Sequence, residues 1–200
     1  MTISRVGIVG GGPRGEAFAR ALARAKINAA ISEDGWTGNS LSSVPADLAC
    51  RTNLETAAEE DVVFLSTGWG EVAETLARIA DWEGRILIDA TNPMLPANKA
   101  ADIGNRTSSE IVRDLSPGAQ LVKAFNALPA ETLGAEPRQD RGRPIVFLSG
   151  DHLRAKTEVS RLVGQLGFVG IDLGGLVSGG SLLQFPDGSL WGRDLRSFEL

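Results

Sequence analysis

Gly10-Gly11-Gly12-Pro13-Arg14-Gly15 joins a short apolar run, Ile3 to Val9, to a segment from Glu16 to Lys26 in which Ala17, Phe18, Ala21, Leu22 and Ala25 recur at helical spacing. A β-branched strand, a glycine turn and an amphipathic helix in that order open a βαβ unit, and the glycines fall where a dinucleotide fingerprint must fall. Gly10 allows the tight turn, Gly12 lets backbone approach a pyrophosphate, and Gly15 lets helix and strand pack closely. The helix start then offers unpaired N–H groups and a positive partial charge, worth about 1 kcal/mol to an anion.

Outward from this turn the alternation continues. Strands are predicted at Asn28 to Ser32, Asp61 to Thr67, Arg85 to Ala90, Gln120 to Phe125, Pro144 to Leu148 and Phe168 to Leu173. Helices are predicted at Val72 to Ala80, from the Thr107/Glu110 capping box to Leu115, and at Leu153 to Leu166. Residues 91–106 read as irregular, and the chain from Gly174 onward is glycine-rich and unassigned. The expectation is an α/β fold of Rossmann type: a doubly wound, mostly parallel sheet with helices on both faces, because parallel neighbours need crossovers. All 200 residues are read as a single dinucleotide-binding domain whose C-terminal part extends the sheet.

Composition narrows the class. A 42% hydrophobic, 22% charged chain can bury a core without staples, and one cysteine, Cys50, beside one histidine, His152, allows neither an internal disulfide nor a metal set. The reading is a cytoplasmic protein with no metal, no membrane segment and, at a net charge of -5, no nucleic-acid partner.

About twenty residues beyond the turn, the second strand ends in Ser32-Glu33-Asp34. An acidic side chain there accepts hydrogen bonds from the adenosine ribose and favours NAD(H) over NADP(H). A 2′-phosphate about 4 Å from Glu33 meets a repulsion of roughly 4 kcal/mol per unit charge before solvent screening. The alternatives are that Glu33 and Asp34 only solvate a loop, or that Arg14 or Arg51 swings in to take a phosphate.

With these landmarks the chain resembles the coenzyme F420 (deazaflavin)-dependent NADP oxidoreductase family of small dinucleotide-binding reductases. The resemblance rests on Gly10 to Gly15, on Asp61-Val62-Val63-Phe64-Leu65 with Trp69, and on Gly84 through Asp89-Ala90-Thr91-Asn92-Pro93. It continues through Lys123-Ala124-Phe125-Asn126 with Leu128-Pro129-Ala130, Leu148-Ser149-Gly150-Asp151, Gly174-Gly175-Leu176 and Gln184-Phe185-Pro186. It implies a nicotinamide dinucleotide across the C-terminal edge of the sheet and hydride exchange with a second cofactor, a deazaflavin or flavin, stacked beside it. Two departures stand out: Glu33 replaces the arginine that follows Ser32 in relatives, and Gly68 replaces a proline before Trp69.

The cofactor site so expected comprises Gly10, Gly11, Gly12, Pro13, Arg14, Gly15, Ser32, Glu33, Thr67, Gly68, Trp69, Asn92 and Pro93, with Ala124, Phe125 and Asn126 toward the second substrate. Asn92 and Asn126 either bond a carboxamide or ribose, or serve as a turn former and a helix cap. Trp69 is an aromatic wall or plain packing. Lys123 reads as snorkelling at the sheet edge, with an anion-orienting role as the alternative. Arg138, Arg141 and Arg143 read as a solvated face, with contact to the anionic tail of a deazaflavin as the alternative. No catalytic residue is assigned: the chain has no tyrosine, His152 reads as a surface position and Cys50 as a small packed residue. Hydride exchange between planar cofactors needs positioning above all, which suits such a chain. A non-catalytic dinucleotide-binding or redox-sensing module is the alternative, and a homodimer is a further expectation.

Overall fold

The computed structural model describes residues 3, 5–32, 49–136 and 142–198. The first apolar run forms β1 (Arg5–Val9), which pairs in parallel with β2 (Asn28–Ser32) on one side and β4 (Val62–Leu65) on the other. Beyond β2 lies β3 (Ala49–Thr52); beyond β4 lie β5 (Ile86–Asp89), β8 (Gln120–Ala124), β9 (Arg143–Ser149) and β10 (Val169–Asp172). The strand order therefore reverses between β1 and β4, and the glycine turn leaves β1 at that switch point.

Strand alternation sends side chains to two cores. Ile8, Phe64 and Val122 face α1 (Pro13–Arg24) and α6 (Leu153–Gln165), where Phe18 stacks on Phe64 with ring centroids 3.8 Å apart. Val63, Leu65, Leu87 and Leu121 face α2 (Leu54–Ala58), α3 (Val72–Ala77), α4 (Ser108–Leu115) and α7 (Leu176–Leu182) through Leu54, Leu76, Val112 and Leu176. Each of these buried side chains contributes roughly 1.5–3 kcal/mol of transfer energy.

The doubly wound, mostly parallel sheet is as read from the sequence, with three corrections. Helix α1 starts at Pro13 and not at Glu16, because proline fits the first helical position where its missing N–H is not needed. The last three residues of the glycine turn, Pro13 to Gly15, are thus already in the first turn of the helix, with Gly12 at its N-cap. Strand β9 runs antiparallel to β8, pairing Lys123 with Ser149 and Ala124 with Leu148. Among the described residues, the connection between them holds the five-residue α5 (Ala130–Gly134), which lies on α1. The stretch 91–106 contains a small hairpin of β6 (Met94–Leu95) and β7 (Lys99–Ala100), and the tail contributes α7 and β11 (Arg196–Ser197) against β9. The Thr107 capping box stands: Thr107 Oγ1 accepts from Glu110 N at 3.3 Å, and Thr107 N donates to Glu110 Oε2 at 2.8 Å. No helix among the described residues is long and apolar enough to cross a membrane.

Candidate functional site

Three glycines of the turn do three different things. Gly10 has φ +107°, and a Cβ there would stand 2.5 Å from Thr67 N. At Gly15 a Cβ would stand 2.2 Å from Gly10 O, so helix and strand close against each other only without a side chain. Gly12 is the opposite case: no atom of the described residues lies within 4 Å of its Cβ position. The bare face of Gly12 opens on a groove of about 390 Å³ lined by Gly10, Gly11, Thr67, Leu54 and Thr75. Among the described residues, no side chain caps the first turn of α1. Thr67 Oγ1 is buried beside the groove and has no hydrogen-bond partner among the described residues. An open backbone cradle, an uncapped helix start and an orphaned hydroxyl fit a diphosphate with its ribose. Ser66 Oγ donates to Gly10 O at 3.0 Å and fastens the turn to the loop after β4.

At the adenosine end, Ser32 closes β2 fully buried, its hydroxyl unpartnered among the described residues. Glu33 and Asp34 lie outside the described residues, as do Arg138 and Arg141. Cys50 and Arg51 fall in β3. On the α3 side the groove is edged by Glu71, Glu74 and Arg78, and Arg78 donates to Glu55 Oε1 from Nε at 3.1 Å and Nη2 at 2.8 Å.

Pro13 is exposed at the helix start, whereas the Arg14 side chain turns away from the groove. Its Nη1 donates to the carbonyls of Phe125 and Leu128, the latter at 2.7 Å. Burial lowers the guanidinium to about 10, opposed by the charge of Glu131. An arginine so committed is not the swinging phosphate receptor considered from the sequence.

The remaining predicted residues gather at the same sheet edge, but many serve one another. Gly68 is exposed and leads into a tight turn over Trp69–Glu71; Trp69 is half-buried against the Leu65 core, which is the packing role. Asn92 Nδ2 donates to Asn126 O at 3.1 Å, and Asn126 Nδ2 donates to Asn92 Oδ1 at 3.0 Å and to Leu183 O at 2.8 Å. The pair ties two strand-end loops to the tail, with Pro93 buried alongside; Asn92 O also accepts from Met94 N at 2.7 Å in a tight turn, and Pro129, not Asn126, stands at the start of α5. Asn126 Oδ1 remains buried and unpartnered among the described residues. Ala124 and Phe125 are buried, and the Phe125 ring is wedged edge-on against Phe18 and Phe64 at 5.2 and 5.8 Å. Both side chains pack into the core, and Phe125 does so at a φ of +63°.

Lys123 is corrected as well. It does not snorkel; at 1% exposure its ammonium meets Asp89 Oδ2 at 3.0 Å, Thr91 O at 2.5 Å and Ser108 Oγ at 3.5 Å. Asp89 Oδ1 in turn accepts from Thr91 N at 2.9 Å and Thr91 Oγ1 at 2.7 Å. Burial pushes the Lys123 ammonium below its ordinary value, and Asp89 opposes that push. Two residues the sequence left without a role complete the arrangement: Asp151 Oδ1 caps Leu176 N at 2.8 Å, and Gln184 Oε1 accepts from Ser108 N at 2.9 Å. Their one sequence signal was membership of the landmark stretches. His152 is exposed at the start of α6, where among the described residues its side chain makes no cap hydrogen bond, and Arg143 is exposed at the start of β9. No cluster that could hold a metal occurs among the described residues.

Residues 5–93 match the family described as NADP oxidoreductase, coenzyme F420-dependent. Metalloreductase STEAP3 of Rattus norvegicus is 30% identical over 186 residues, covering 91% of this chain and 36% of that protein. Metalloreductase STEAP2 of Homo sapiens is 32% identical over 103 residues, 52% of this chain and 20% of that protein. The chain thus spans about a third or less of the length of the curated relatives it matches. Among solved structures, the hypothetical protein SMa0349 of Sinorhizobium meliloti superposes with a TM-score of 0.87 at 39% identity, covering 98% of this chain and 96% of that one. A protein of Arthrobacter sp. FB24, provisionally described as an F420-dependent NADP-reductase, gives 0.67 at 22% identity over 87% and 86% of the two chains. That likeness places the fold alone.

Proposed function

We propose that the chain, whose residues 5–93 match the coenzyme F420-dependent NADP oxidoreductase family, is an NAD(P)-dependent oxidoreductase that passes hydride between a nicotinamide dinucleotide and a planar redox acceptor, a deazaflavin or a flavin. The observation that carries the reading is the groove above Gly12, where an open backbone cradle, the uncapped start of α1 and the orphaned Thr67 hydroxyl come together. Bound there, the dinucleotide supplies the hydride. The protein's part is to hold the diphosphate on the turn and to set the strand-end loops through the Asn92–Asn126 tie. Positioning of this kind accounts for a site in which no titratable side chain was assigned a proton-transfer role.

For the choice of dinucleotide we infer a preference for NAD(H). Glu33 in the sequence and the acidic groove edge of Glu71 and Glu74, with Arg78 already paired to Glu55, all disfavour a 2′-phosphate. The protein is read as cytoplasmic, acting on a small-molecule partner and forming a homodimer. The test is a titration with NADH and NADPH followed by turnover with F420 or a flavin, read as loss of reduced-nicotinamide absorbance. Turnover with either acceptor supports the reading. Dinucleotide binding with no turnover on any acceptor would favour a non-catalytic redox-sensing module instead, and tighter binding of NADPH by the wild type would overturn the NAD(H) preference.

A further inference from the structure

Helix α1 carries the diphosphate cradle at its start, and the same helix grips the segment that follows β8. Both carbonyls that receive Arg14 Nη1, those of Phe125 and Leu128, bracket Asn126, the residue that ties Asn92 to Leu183. Nη1 carries two hydrogens, one for each carbonyl, so a single planar group fixes the span of the loop. Farther along α1, Arg24 donates to Gly134 O at 2.7 Å and Leu133 O at 3.2 Å, an independent fastening at the far end of the segment. Phe125 sits at φ +63°, a conformation that an aromatic residue holds only where its surroundings over-determine it. The ring wedge against Phe18 and Phe64 fixes its side chain, and the Arg14 bond fixes its carbonyl.

We propose that Arg14 is a positioning residue that locks the loop 125–128, which carries the unpartnered Asn126 Oδ1, to the dinucleotide-binding helix and so sets that oxygen for the second substrate. It acts through the loop and not on the diphosphate, since Nη1 is held on two carbonyls of that loop and Arg14 is not among the residues that line the groove. This role rests on the hydride-transfer reading above for its catalytic consequence, though not for its structural one.

The test uses R14M, which keeps the stem and removes the donors, R14K, which keeps a cation able to reach one or both carbonyls, and R24M as a control on the far fastening. Three quantities are measured: affinity for ADP-ribose, which lacks the nicotinamide; acceptor KM against kcat; and amide hydrogen exchange by peptide. In R14M the acceptor KM rises about tenfold, as for other small misplacements of a positioned group. ADP-ribose affinity stays within about threefold, exchange quickens over 125–130, and R14K recovers part of each loss. R24M quickens exchange over 131–136 and leaves 125–128 protected. A parallel loss of ADP-ribose affinity would place Arg14 on the diphosphate and overturn the proposal, as would unchanged exchange over 125–130. Should R14M fail to fold, R14K carries the same readouts at smaller amplitude. If the wild type turns over no acceptor, the hydride-transfer reading falls, while exchange and ADP-ribose affinity still decide the role of Arg14.

Discussion

The turn at Gly10–Gly15 and the segment Lys123–Asn126 sit at the ends of strands on one edge of one sheet, yet they are built in opposite ways. The first is backbone: its glycines leave Gly12 bare toward a groove and the helix start uncapped. The second is side chain: Lys123, Phe125 and Asn126 are all buried and interlocked with Asp89, Phe18 and Asn92. A surface that must accept many slightly different diphosphate poses works by exposing N–H groups. A surface that must hold a loop at a fixed distance from that diphosphate works by removing freedom.

The largest break in this comparison is expected on the interlocked side. Lys123→Met leaves Asp89 charged and buried without its cation, and should cost about 3–5 kcal/mol in urea unfolding. Adding Asp89→Leu should recover part of that, since an apolar pair no longer strands a charge; a double variant as unstable as the single would show that the Thr91 bonds to Asp89 matter more than the ion pair. Next comes Gly10→Ala, in which a Cβ at φ +107° meets Thr67 N; about 1–3 kcal/mol should be lost, with dinucleotide binding abolished. Gly12→Ala sharpens the contrast. Its Cβ enters open space, so the melting temperature should hold while dinucleotide affinity falls about tenfold, or about 1.4 kcal/mol. A Gly12→Ala protein that binds as well as wild type would mean that the diphosphate lies elsewhere.

The smallest effect is expected at the capping box of α4, which borders the interlocked side. Thr107→Ala should cost about 1 kcal/mol. Hydrogen bonds from the Thr107 backbone and side chain hold the Glu110 carboxyl below its ordinary value of 4.5. Because the folded value is the lower one, the stabilisation is fully present above the unfolded value and is lost as pH falls through the folded one. Glu110→Gln should flatten that acid limb in denaturant melts; an unaltered limb would assign the loss to other carboxylates.

Legibility in the sequence followed the same division. The strand-turn-helix pattern, the alternation and the capping box were readable because each depends on residues a few positions apart. Helix α1 was placed three residues late because Pro13 was read as part of the turn, although its ring is compatible with a first helical position. Strand β3 and helix α2 are too short for periodicity to declare them, and α7 hides in a glycine-rich run because Gly179 must pass close to Ser149, where a Cβ would stand 2.6 Å from the serine's own. The segment 123–126 is legible as a motif but not in its partners. Nothing local in Lys-Ala-Phe-Asn says that the lysine pairs with a residue 34 positions away or that the arginine of the glycine turn reaches across 111 positions to the phenylalanine carbonyl.

What the sequence determined by itself is the cradle, because a glycine's permissiveness is a property of the residue and needs only a strand before it and a helix after it. What only the tertiary structure decided is which polar groups face the groove and which are consumed in holding it. That allocation depends on where strands far apart in the chain come to lie side by side, and a buried donor takes whichever acceptor the packing brings within reach.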